Sequence, residues 1–123
     1  LTTQFTNAFA GKLINIHPSL LPEYPGLDTH KQALENGDLM HGATIHYVDE
    51  GLDSGPIIAQ GALKIDPSQS EAKLAQRIHK IEHALLPKVI AEIARELISL
   101  KGKEVKFEPK SYFQKNNMEF FNV

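Results

Sequence analysis

Leu74, Ile78, Ile81, Leu85, Val89, Ile93 and Leu97 recur every three or four residues, the spacing that lines apolar side chains along one face of a helix. Ser68 and Glu71 stand at capping-box spacing ahead of this stretch, and Gly102 closes it. A helix of that length commits the rest of the fold. Its stability in water comes mostly from packing its apolar stripe, so a partner surface must exist. Pro87 falls inside the stripe. It lacks a backbone donor and crowds the carbonyl four residues earlier, so a kink, or a break into two helices, is expected near residues 85–87.

Short strands supply the partner surface. Residues 13–17, Leu-Ile-Asn-Ile-His, read as a strand in which Leu13, Asn15 and His17 share one face and Ile14 and Ile16 the other. Pro18 and Pro22 then fix the exit, and Pro25 and Gly26 punctuate a loop that runs to Asp28. Thr29 is a plausible N-cap for a short helix over residues 30–36, stopped by Gly37. Residues 42–49 read as a second strand, with Ala43, Ile45 and Tyr47 on one face and Thr44, His46 and Val48 on the other. A loop dense in turn formers follows through Pro56. Residues 57–65 read as a third strand, with Gly61 a candidate bulge. Residues 1–11 suggest a short helix or loop, residues 104–108 a small strand, and residues 111–123 an extended tail. Strands combined with one long amphipathic helix indicate the α/β class.

Composition removes several functions. Net charge is −2 and no Lys/Arg block occurs, so no nucleic-acid partner is implied. Without cysteine there is neither disulfide nor thiol chemistry. No apolar run approaches the roughly 18 residues of a membrane span, and no signal peptide is visible, which makes the cytoplasm the expected location.

Four groups of residues carry possible chemistry. Asn15 and His17 bring an amide donor and an imidazole to one strand face; such a donor stabilises an oxyanion, and a histidine moves protons near neutral pH. Asp53, ahead of Ser54-Gly55-Pro56, offers a carboxylate that favours a charged imidazole, although acidic turn residues are commonplace. Thr44 and His46 would complete a polar cluster if their face meets that of Asn15 and His17. Finally, His79-Lys80-Ile81-Glu82-His83 matches the inverted zinc-protease pattern. Catalytic zinc also wants a third protein ligand, and no second signature follows, so no metal is expected. Spacing alone leaves acyl or formyl transfer, hydrolysis and no activity all open.

Several ordered motifs add to this. Asn15-Ile16-His17-Pro18-Ser19-Leu20-Leu21-Pro22, then Tyr24-Pro25-Gly26, then His41-Gly42-Ala43-Thr44-Ile45-His46, then Leu52-Asp53-Ser54-Gly55-Pro56-Ile57-Ile58 together resemble the folate-dependent formyltransferases. Within that family the chain is most similar to the members that formylate glycinamide ribonucleotide in purine synthesis. The resemblance implies the back half of the formyltransferase fold: a mostly parallel sheet with flanking helices, one long and kinked. Residues 1–110 would form the catalytic portion of a single domain, and residues 111–123 a C-terminal tail. It implies 10-formyltetrahydrofolate as co-substrate and the glycine amine of glycinamide ribonucleotide as acceptor. It allows a homodimer.

By the same resemblance, Asn15, His17 and Asp53 form the catalytic set. Charged His17 and Asn15 would stabilise the tetrahedral oxyanion. Asp53 would keep the imidazole protonated and help pass a proton to the leaving folate nitrogen. Thr44 and His46 would support them. The pterin would lie against Leu13, Val48, Asp49 and Glu50, and the acceptor against Pro18, Glu82 and His79.

Departures from the family pattern are visible. Some relatives carry His where this chain has Asp28, and Gln where it has His79. The chain begins at Leu1 and shows no glycine-rich phosphate loop, so the nucleotide-binding front half is expected to belong to a longer protein. Deformylases usually show His-Ser-Phe where this chain has Pro18-Ser19-Leu20. Methionyl-tRNA formyltransferases usually show a basic segment in place of Glu23-Tyr24-Pro25-Gly26. A non-catalytic folate-binding fragment is the alternative from outside enzymology.

Overall fold

The computed structural model describes residues 12–123; the expectation for residues 1–11 lies outside the described part. In chain order come β1 (Ile14–His17), α1 (Thr29–Glu35), β2 (Met40–Tyr47), β3 (Ile57–Lys64), α2 (Glu71–Ala94), β4 (Ile98–Lys101), β5 (Glu104–Phe107), a 3-10 turn (Tyr112–Gln114) and β6 (Met118–Phe120). The main sheet has the order β1-β2-β3-β6, and β4 and β5 form a separate hairpin.

The α/β class holds, but strand direction departs from the expected mostly parallel sheet. Among the described strands, β1 and β2 are antiparallel, as are β2 and β3, and only β3 and β6 run parallel. For β2 and β3 the reason lies in the connection. Residues 48–56 join β2 to β3 without a helix, whereas parallel neighbours need a crossover of about a dozen residues or more.

Helix α2 is one helix, not two. Pro87 sits inside it, exposed, as is His83, whose carbonyl loses its helical partner to the proline. Water can serve that carbonyl, so the helix continues. Its start also differs from expectation. Ser70 is the cap and accepts from Lys73 N at 3.1 Å, while Ser68 is held in a turn by Asp66. Leu74, Ile78, Ile81, Leu85 and Val89 are fully buried against the sheet face formed by Ala43, Ile45, Ala59 and Leu63.

Gly61 lies in regular register opposite Ala43, so it is no bulge. A Cβ there would meet Ile81 Cγ2 at 2.4 Å and Leu85 Cδ1 at 2.9 Å. The glycine lets α2 approach the sheet. The ladder irregularity falls instead between Ile45 and His46.

Residues 111–123 are not the extended tail expected: they hold the 3-10 turn and β6, and they are fastened to the rest of the fold. Gln60 N donates to Asn117 O at 2.7 Å and Phe121 N to Ala62 O at 2.8 Å, adding β6 to the sheet. Buried Glu92 accepts from Ser111 Oγ and, at 3.0 Å, from Tyr112 N. Among the described residues no helix is long and apolar enough to cross a membrane.

Candidate active site

Antiparallel pairing of β1 with β2 decides which side chains meet. Asn15 lies opposite His46, and His17 opposite Thr44. Directly opposed residues share a face. All four therefore project from the side of the sheet away from α2, and the two polar pairs singled out in the sequence are one cluster.

Asp53 reaches this cluster from the loop after β2. Its backbone is left-handed, with φ 51°, a conformation rarely taken without glycine and one that turns the carboxylate inward. Oδ2 stands 3.3 Å from His17 Nδ1 and accepts from Gly26 N at 2.9 Å. Oδ1 stands 3.8 Å from His46 Nε2. His17 Nε2 donates to the Tyr24 carbonyl at 2.7 Å. Oxygens thus face both nitrogens of the His17 ring.

The loop over residues 18–28 is fastened from below. Thr44 Oγ1 donates to Ser19 O at 2.7 Å and accepts from Leu21 N at 3.1 Å. Gln60 Nε2 donates to Leu21 O at 2.9 Å and to Thr44 Oγ1 at 3.0 Å. Thr29, the first residue of α1 rather than its cap, donates to Pro18 O. Asp28, with φ 58°, takes the cap position without a side-chain hydrogen bond.

Beside the cluster opens a cleft of about 490 Å³. Leu13, Val48, Asp49 and Glu50 all line it, together with Asn15, His46 and Asp53. Carboxylates beside Leu13, Ile14, Val48 and Leu52 make this a cleft of mixed polar and apolar character.

Among the described residues, Glu82 and His79 make no hydrogen bond or ion pair with Asn15, His17 or Asp53, although the field of His17 reaches Glu82. They lie on α2, with Glu82 mostly buried, His79 exposed and Nε2 to Oε1 at 4.0 Å. Burial pushes the Glu82 carboxyl up, opposed by the positive charge of His79, His83 and His17. Among the described residues no cluster of three or more histidine or acidic side chains is placed to hold a metal ion.

Two further groups escaped sequence reasoning. Tyr24, also left-handed at φ 50°, donates through its hydroxyl to Asp38 Oδ2 at 2.5 Å and accepts from Asn36 Nδ2 at 2.9 Å. The bond to Asp38 pushes its phenol up. Its place in the Tyr24-Pro25-Gly26 motif was the available signal. His30 Nδ1 and His41 Nε2 lie 3.0 Å apart. Burial lowers both rings, His41 to about 4. No local spacing marked that pair.

Residues 1–90 match the family described as formyl transferase. The chain belongs to that family. It is 49% identical over 94 residues to the phosphoribosylglycinamide formyltransferase of Escherichia coli, covering 76% of this chain and 44% of that one. It superimposes on the crystal structure of phosphoribosylglycinamide formyltransferase from Anaplasma phagocytophilum with a TM-score of 0.89 at 36% identity, covering 99% of this chain and 58% of the other. A formyltetrahydrofolate deformylase structure from Pseudomonas syringae follows at TM-score 0.81 and 28% identity, over 86% of this chain and 36% of that one. The chain thus spans about half the length, or less, of these family members.

Proposed function

We propose that the chain carries the catalytic part of a phosphoribosylglycinamide formyltransferase. It moves the formyl group of 10-formyltetrahydrofolate to the glycine amine of glycinamide ribonucleotide, in the cytoplasm, without a metal. The observation that carries this is the His17–Asp53 pair, at 3.3 Å, beside Asn15 and the cleft lined by Leu13, Val48, Asp49 and Glu50. Attack of the amine on the formyl carbon creates a tetrahedral oxyanion. The Asn15 amide and the positive His17 ring stabilise it, and Asp53 balances that ring's charge. Thr44 supports the site through the loop it fastens. Pro18, Glu82 and His79 serve the acceptor.

Support comes also from Pro18-Ser19-Leu20, which departs from the deformylase pattern, and from the higher identity to the transferases. The test is a formyl-transfer assay on the full-length protein with His17→Ala and Asp53→Ala variants. Loss of about a hundredfold or more in kcat, the size expected when a positioned electrostatic or acid–base group is removed, supports the assignment. Near-normal turnover in either variant sinks it. Formate release without glycinamide ribonucleotide would instead identify a deformylase.

A further inference from the structure

His46 differs from His17 in what its ring nitrogens do. Its Nδ1 donates to the Tyr47 carbonyl at 2.9 Å, so that nitrogen carries a proton. In the neutral ring Nε2 is then the lone-pair nitrogen. The side chain is 4% exposed, and Nε2 has no hydrogen-bond partner among the described residues. Buried polar atoms rarely stay unpaired without a reason. His46 lines the cleft beside its cross-strand neighbour Asn15.

We propose that His46 is a catalytic residue, the group that takes the proton from the attacking amine and returns it to the leaving folate nitrogen. This rests on the formyl-transfer function proposed above. As the amine nitrogen bonds to the formyl carbon, the C=O pair moves onto oxygen. An N–H bond then breaks and its proton passes to Nε2. When the oxyanion collapses, C=O re-forms, the bond from carbon to the folate nitrogen breaks, and that nitrogen takes the proton from Nε2. The products are the formamide and tetrahydrofolate, and His46 is neutral again. No further reactant is consumed.

The surroundings stabilise the charge that the ring gains as it takes the proton. Asp53 Oδ1, at 3.8 Å from Nε2, faces the arriving proton. Asp49 and Glu50 add negative charge along the cleft, and His17 lies on the far side of Asp53. From β1 the neighbour is neutral Asn15, and from β3 it is apolar Ile57.

The experiment compares the full-length parent with His46→Asn and His46→Gln. Asparagine keeps a donor near the Tyr47 carbonyl and deletes Nε2; glutamine places an amide where Nε2 was. The expected result is a kcat loss of about a hundredfold in both, within the span of general acid–base catalysis, with KM for both substrates little changed. The acid limb of the parent's pH–rate profile, where protonated Nε2 can no longer accept, should vanish in both variants. Nitrogen-15 spectra of the parent should show His46 protonated at Nδ1 and bare at Nε2. An active parent whose variants keep kcat within threefold, or the opposite tautomer, overturns the inference alone. A parent without acceptor-dependent turnover overturns the transfer function and the inference together.

Discussion

The Tyr24 carbonyl accepts the Nε2 proton of His17 at 2.7 Å, so a loop backbone rather than a second side chain completes the hydrogen bonding of that ring. Tyr24 can offer its carbonyl because its left-handed backbone is held by the hydroxyl's bonds to Asp38 and Asn36. Tyr24→Phe removes both bonds and keeps the ring. The expected cost is about 0.5–1 kcal/mol of unfolding free energy, as for a partly exposed hydrogen bond, read by denaturant melts. The His17 Nε2 proton resonance should broaden or move upfield as the loop loosens. An unchanged resonance would show that the anchor does not reach His17.

Acid should weaken the fold through His30 and His41. One must donate and the other accept across their 3.0 Å contact, so the pair cannot be doubly charged. Burial holds the His41 ring near 4, below the ordinary value of 6.5. The unfolded chain therefore binds the extra proton first. Stability from this residue is complete above about pH 6.5 and declines as pH falls toward 4, a loss of the order of 3 kcal/mol. His30 acts in the same direction. Urea midpoints measured from pH 7 to pH 4 check it, with His41→Gln flattening the decline.

Gly61→Ala should destabilise the protein by about 1–3 kcal/mol, the usual range for overpacking. The added methyl would stand 2.4 Å from Ile81 Cγ2, on the helix face that cannot retreat without opening the core. A thermal melt decides. A variant as stable as the parent would mean that α2 slides outward without loss.

Glu92→Ala should release the segment that follows the β4–β5 hairpin. The carboxylate is buried and satisfies both Ser111 and the Tyr112 amide. Its removal leaves a polar backbone group without its partner, at about 1–3 kcal/mol. Proteolysis should then cut faster within residues 111–123, while circular dichroism of the rest is retained.

Much of the architecture was legible because periodicity is local. The stripe from Leu74 to Val89 marks α2, and alternation alone separates Ala43, Ile45 and Tyr47 from Thr44 and His46. Strand direction was not legible, since it depends on how residues 48–56 turn. The continuity of α2 through Pro87 depended on which side of the helix faces water. Asn15 and His17 could be placed together from alternation alone. Asp53, distant in sequence, joined them only through the family motifs, and the supports from Tyr24 and Gln60 are tertiary contacts that no spacing encodes.

One carboxylate faces three separate pieces of chain. Asp53 meets β1 through His17, the 18–28 loop through Gly26 N, and β2 through His46. The two loops at the cleft thus share a single fastening. Exchanging either loop for that of a relative should succeed only when the other is exchanged with it, because each was shaped around the same pair of oxygens. Substitutions in these loops that are harmless singly in one background should prove damaging in another.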